Sequence, residues 1–308
     1  MDSSTAESCY MDSRSPWIRL RRNQAVLLSG VVLLFMAAIA VFGPELMRAH
    51  AGDVSRDSFL PPSPQHFFGT DLNGRDLLYR VLLGARISLA VGIAGAAVSF
   101  VIGIVYGMVA GYAGGRADSL MMRFVDVLYA IPRLIFLLIL ISALDPIVHH
   151  FMETNGLQGL APYSKIVILV FCLGLTEWLT MARIVRGQTL SLKSQQYVLA
   201  ARSIGQNHRN IIFQHILPNV LGIALVYLTL TVPAVILDES FLSFLGVGVQ
   251  APLASWGLLL SDAAQVINPI KGYWWLLVFP ALAMSLTLLA LNFLGDGLRD
   301  ALDPRGRR

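Results

Sequence analysis

The sequence predicts an all-α membrane protein with six spanning helices, and three observations carry that expectation. Of its 308 residues, 56% are hydrophobic and 14% charged, where an ordinary soluble domain has roughly 25% charged and 45–50% apolar residues. The mean hydropathy is +0.65. The apolar residues also gather into six stretches, each long enough to cross a bilayer core, which takes about 20 residues of helix. So little ionic surface on a chain of this size excludes a soluble enzyme, a soluble nucleic-acid binder and a disordered chain.

The six stretches lie at about 25–43, 87–110, 124–144, 166–182, 220–237 and 273–295. The second and sixth contain no charge, whereas Asp126 and Arg133 interrupt the third. Pro132, Pro233 and Pro280 fall inside the stretches, a placement tolerated where neighbouring helices satisfy the freed backbone groups. Basic residues precede the first stretch and Ala38-Ile39-Ala40 resembles a cleavage site. Its apolar run of about 19 residues nevertheless exceeds the 7–15 of a signal peptide, so it reads as a retained anchor.

An even number of spans puts both termini on one side. That side carries Arg14, Arg19, Arg21, Arg22, Arg116, Arg123, Arg183, Arg186, Lys193, Arg202, Arg209, Arg299, Arg305, Arg307 and Arg308. The other side carries Arg48, Arg56, Arg75, Arg80, Arg86, Lys165 and Lys271. The positive-inside rule then places both termini in the cytoplasm, and the net charge of +4 records orientation, not affinity for nucleic acid. The expected layout is a cytoplasmic tail at 1–24, the first span with an outer segment at 25–86, a five-helix core at 87–297 with a cytoplasmic segment at 183–218, and a cytoplasmic tail at 298–308.

The outer segment reads as a turn at Asn73-Gly74 followed by an amphipathic helix on the membrane surface. Leu77, Leu78, Val81, Leu82 and Ala85 form its apolar face, with Asp76 and Arg80 as an i,i+4 pair. Asp71-x-Asn73-Gly74 lacks the remaining ligands of a calcium loop. His149-His150-x2-Glu153 has no further metal ligand beside it. The 238–272 segment is apolar and aromatic and is expected to tuck against the outer end of the bundle, with Trp256, Trp274 and Trp275 in the interfacial belt. Cys9 lies in a polar tail and Cys172 in an apolar run, so no disulfide is implied.

Ionisable groups inside spans are functional candidates by default. Arg133 and Glu177 approach the same depth from adjacent spans, and either pair or snorkel separately to the cytoplasmic face. Asp238 and Glu239 close the fifth span at its outer end, and either line the path of a substrate's ammonium group, or cap the span in water or pair within the outer loop.

The cytoplasmic segment carries the most information. Tyr197, Ala201 and Ile204 fall at i, i+4, i+7, on one face of a short helix that Gly205 closes. A second helical stretch at 209–217 is expected to end against Pro218. On pattern alone this is either a solvated amphipathic loop or a docking surface. The order Ala200-Ala201-x3-Gly205-x9-His215-Ile216-Leu217-Pro218 resembles the EAA motif of ABC-importer permeases. Phe68-Gly69-Thr70-Asp71-Leu72-Asn73-Gly74-Arg75-Asp76, Gly84-Ala85-Arg86-Ile87-Ser88-Leu89, Leu242-Ser243-Phe244-Leu245-Gly246 and Asn292-Phe293-Leu294-Gly295-Asp296-Gly297 are similar to one branch, the C-type permease subunit of dipeptide and oligopeptide importers. The motif's acidic position is Leu199 here.

The resemblance implies a type I ABC-importer permease fold in a bacterial inner membrane. It implies a B-type permease partner, two cytoplasmic ATPase subunits that use ATP and Mg2+, and an external substrate-binding protein. The chain itself carries no Gly-x4-Gly-Lys-Ser/Thr phosphate loop, and no cofactor of its own is implied. Ala200, Ala201, Arg202, Gly205, His215 and Pro218 are the expected docking residues, with Gly205, Ala201 and Arg202 carrying the contact. Relatives of this kind also move nickel chelates or glutathione, and a secondary transporter using Arg133, Glu177 and Glu239 as a polar relay is the reading from another class.

Overall fold

A computed structural model describes residues 23–47, 54–157, 159, 161–266 and 272–302. The arginines expected at 14–22, Arg48, Lys271, Arg305, Arg307, Arg308 and Cys9 lie outside them. The described residues are helices joined by short connections and one longer non-helical segment at 54–76, which holds an isolated bridge between Thr70 and Asp76. In chain order these are α1 (Gln24–Met47), α2 (Leu77–Ala113), α3 (Gly115–Ala130), α4 (Arg133–Thr154), α5 (Ala161–Lys193), α6 (Gln196–Ser203), α7 (His208–Phe244), α8 (Trp256–Val266) and α9 (Trp274–Leu302). Six of them, α1, α2, α4, α5, α7 and α9, are long and apolar enough to span a membrane.

The third span differs from its expected position. The chain breaks at Ile131-Pro132, so α3 is a separate helix and the span runs Arg133–Thr154. Proline offers no N–H and disfavours helical geometry in the residue before it. Ile131 accordingly takes extended angles, φ −80° and ψ 129°. Arg133 is thus the first residue of α4 and stands beside Glu177, at the middle of α5.

The expected surface helix before the second span is also corrected. Residues 77–85 are the start of α2, a single helix of 37 residues, about 55 Å long at 1.5 Å per residue. Leu77, Val81 and Ala85 are buried against the bundle. The expected Asp76–Arg80 pair does not form. Asp76 caps α2 by accepting from Tyr79 N–H and meets His66 at 3.0 Å, while Arg80 Nη1 donates to Asp71 at 2.9 Å and to Asp262 of α8 at 3.1 Å.

Small residues set the central packing. Gly95, Ser99, Gly103, Gly107 and Gly111 recur every four residues and bury one stripe of α2, the spacing that lets membrane helices approach closely. A Cβ on Gly107 would stand 2.5 Å from the Ala182 carbonyl oxygen of α5. Along this seam runs a core of Val91, Leu169, Leu173, Val235, Ile236 and Trp256.

Two prolines inside helices are compensated. Pro44 of α1 cannot donate to the Ala40 carbonyl, and Arg86 supplies the missing donor through Nε at 2.9 Å. Arg86 also donates to the Val41 carbonyl and to Glu45, and so clamps α1 to α2. Pro218, expected to end a helix, instead sits within α7. A π turn at Ile211–Ile216 precedes it, and the wider turn eases the clash of the proline ring with the preceding turn. Asn219 Nδ2 donates to the His215 carbonyl at 2.7 Å.

α8 and the loop before it fold onto the same end of the bundle as the 54–76 segment, and Arg80 of α2 joins the two by pairing with both Asp71 and Asp262. Trp256 is fully buried and donates from its indole to the Val81 carbonyl, and Trp275 is nearly so. Of the three tryptophans expected in an interfacial belt, Trp274 alone is exposed.

Candidate functional site

At one end of the bundle, α5 continues beyond its apolar stretch and displays its basic residues against α3. Arg183 pairs with Asp126 at 2.6 Å and lies 4.0 Å over the Tyr129 ring. Arg186 grips Asp118 with two nitrogens at 2.5 and 2.7 Å, a bidentate geometry. That hydrogen bond holds the Asp118 carboxyl below its ordinary value. Lys193 donates to the Tyr112 carbonyl at 2.5 Å. These contacts tie the ends of α2, α3 and α5 into one base.

On that base sits α6. Val198 and Ala201 face inward against Ile211, Ile216 and Val220. The chain then reverses at Gly205, whose φ of +80° suits glycine. Gln206 N–H returns to the Ala201 carbonyl at 3.1 Å and Gly205 N–H to that of Arg202 at 2.9 Å. Gln206 also ties the turn to α7 through Gln214 and His215, each at 3.0 Å.

The inward face is therefore Val198 and Ala201, while Tyr197 and Ile204 stand exposed. This corrects the expectation that Tyr197, Ala201 and Ile204 share a face. Of the three residues expected to carry a contact, Gly205 lies at the surface, Ala201 is turned into the fold, and Arg202 is half-buried over Tyr112. Ala200 and Pro218 are exposed and His215 is half-buried. The outward residues that the sequence pattern missed are Leu199 and Ile204. Their signal was the position of Val198, which fixes the other face.

Within the spans, Arg133, Glu177 and Asp238 come together. One guanidinium nitrogen of Arg133, at the start of α4, contacts both Glu177 of α5 and Asp238 of α7. The paired arrangement thus holds in place of separate snorkelling, and it recruits Asp238, expected at the far end of its span. A cavity of about 250 Å³ opens beside it, lined by Tyr129, Pro132, Arg133, Thr176, Glu177 and Thr180.

Glu239 does not share this site. Successive helical residues diverge by about 100°, so Glu239 points to a different side of α7 and is fully buried. Its carboxylate accepts from Ser243 at 2.7 Å and Ser88 at 3.0 Å, with Ser240 at 3.4 Å. Ser88 in turn accepts from Trp256 N–H and Ser243 from Val249 N–H. The two adjacent carboxylates therefore form no common surface for an ammonium group. Among the described residues, no group of three metal-capable side chains occurs.

Long apolar helices, a charged cluster at mid-span and an ordered helix–Gly–helix beyond the bundle end define a multi-pass membrane transport subunit. Residues 103–308 match the family described as binding-protein-dependent transport system inner membrane component, and 14–62 match the N-terminal TM domain of oligopeptide transport permease C. The chain belongs to that inner-membrane component family and is an ABC-importer permease subunit. It is 46% identical over 300 residues to the dipeptide transport system permease protein DppC of Bacillus subtilis, covering 96% of this chain and 87% of that one. It is 44% identical to the oligopeptide permease OppC of Haemophilus influenzae, covering 98% and 92%. The glutathione permease GsiD of Pectobacterium atrosepticum is 37% identical, covering 95% and 91%. Among solved structures, inward-facing MetNI methionine ABC transporter chains share the fold with a TM-score of 0.54 at 18% identity, covering 74% of this chain and 98% of that one.

Proposed function

We propose that this chain forms half of the translocation pathway of an ATP-driven importer of dipeptides and oligopeptides. It pairs with a second, B-type permease in a bacterial inner membrane, with both termini cytoplasmic. Two cytoplasmic ATPase subunits hydrolyse ATP with Mg2+, and an external binding protein delivers the substrate. The peptide reading is supported by relatives of 40–46% identity named as dipeptide or oligopeptide permeases. A relative named as a glutathione permease makes a small γ-linked peptide the second substrate to test.

The observation that carries the mechanism is the rigid attachment of α6. It is seated on the ends of α2, α5 and α7 through Ala201, Tyr112 and the Gln206–His215 bridge. A displacement of α6 by the ATPase subunits is therefore transmitted into α5 and α7, the helices that hold Glu177 and Asp238. Rocking these helices alternates access from one side to the other. Arg133 marks the pathway face: its side chain is 43% exposed, and a charged group cannot face lipid at that depth without large cost. The face made by α4, α5 and α7 is accordingly turned toward the second permease and the substrate path. An ion-driven carrier would give α6 no task.

Gly205→Val tests the coupling. No atom lies within 4 Å of a Cβ placed there, so the variant strains only the left-handed turn. Assembly with the ATPase subunits is expected to persist, while ATP hydrolysis continues and peptide uptake falls by about tenfold or more. Unchanged coupled uptake in reconstituted vesicles contradicts the assignment.

A further inference from the structure

Between Glu177 and Asp238 the chain carries no acidic residue. Arg183, Arg186, Lys193, Arg202 and Arg209 all fall in that interval. The protein itself satisfies the first three, through Asp126, Asp118 and the Tyr112 carbonyl. Arg202 differs. Its guanidinium lies 5.4 Å over the Tyr112 ring, its Nε is buried without an acceptor, and among the described residues it has no carboxylate partner. The nearest candidate position on its own helix, three residues earlier, holds the neutral Leu199.

α6 and the turn after it also expose apolar side chains. Ile204 is 85% and Leu199 48% exposed, and Tyr197 and Phe213 are exposed as well. This knob stands clear of the hydrocarbon. In the sequence, Lys193 lies eleven residues past the apolar stretch ending at 182, and His208 twelve before the one starting at 220, about 16–18 Å of helix in each case. Its occupant is therefore a protein surface.

We infer that the ATPase groove receiving α6 is apolar with a carboxylate at its rim that binds Arg202, and that Leu199 selects for such a groove. This rests on the docking reading above and goes beyond it by specifying the partner's chemistry. An acid at 199 would lie within reach of Arg202 at i,i+3. It would neutralise the guanidinium within α6 and place a negative charge against the partner's carboxylate. Leucine does neither, and it adds apolar contact area. The sign of the charge at the interface is thus set by this one position.

The test is Leu199→Glu in the full complex co-expressed with its ATPase subunits, with Leu199→Gln as the uncharged control and Arg202→Gln as the complementary loss. Leu199 is half exposed, so these variants at 199 leave the fold intact. Affinity is read by titrating purified ATPase subunit onto the permease in lipid nanodiscs across a salt series. Leu199→Glu is expected to weaken binding about tenfold or more, Leu199→Gln by a smaller factor, and Arg202→Gln to flatten the salt dependence. Binding that is unchanged or tightened by Leu199→Glu overturns the inference alone. A wild-type permease that binds no ATPase subunit overturns it together with the docking reading.

Discussion

Arg133 holds Glu177 and Asp238 on one guanidinium nitrogen, and the sequence singled out all three, though it set Asp238 apart beside Glu239. A charge inside an apolar stretch is conspicuous, so Arg133 and Glu177 stood out. Asp238 was misplaced because the fifth span was taken to end where its apolar run ends, whereas α7 continues to Phe244. Glu239 was misread for another reason. Its serine partners Ser88 and Ser243 include one 151 residues away, and no local pattern announces a hydroxyl cage. The triad makes a direct prediction. In a double-mutant cycle of Arg133→Gln and Glu177→Gln, measured on thermal stability of the purified complex, the two losses should be non-additive by about 0.5–3 kcal/mol. Additive losses contradict the pairing.

At the scale of elements, the spans were legible because about 20 apolar residues in a row have few other uses. Their ends were not. Helices overrun the bilayer: α2 and α7 each have 37 residues, so the amphipathic start of α2 and the stretch before Pro218 were read as separate pieces. Pro132 misled in the opposite direction. It was treated as tolerated within a span and in fact ends α3. At Pro44 a substitute donor from Arg86, and at Pro218 a wider π turn, accommodate the ring within a helix. The four-residue glycine stripe of α2 was present in the sequence and went unused. It carries an expectation of its own. Gly107→Val puts a Cβ at 2.5 Å from the Ala182 backbone oxygen, which no rotamer relieves, so α2 and α5 must separate. The loss of stability should reach about 1–3 kcal/mol or more, seen as a lower melting temperature in detergent. Gly205→Val meets no neighbour, so its cost should be confined to strain in the left-handed turn at φ +80° and loosen α6 locally without parting α2 from α5.

Across the whole molecule, the distribution of charge joins sequence to mechanism. A chain with 14% charged residues spends them in few places. One group stabilises the end that carries α6, where Arg183 and Arg186 are neutralised by α3. Another ties the 54–76 segment to α8 through Asp71, Arg80 and Asp262. The third is the intramembrane triad between them. On the proposed mechanism the first group receives the ATPase stroke, the second lies toward the binding protein, and the third is carried by the helices that move. The central claim is that ATP-driven motion of α6 powers substrate passage through this chain. The most direct measurement is uptake of a labelled tripeptide into proteoliposomes holding the complete complex with its binding protein, with ATP inside and no ion gradient. Uptake that requires ATP, stops with vanadate and is lost in Gly205→Val is the expected result. Uptake that proceeds without ATP when a proton or sodium gradient is imposed would contradict it.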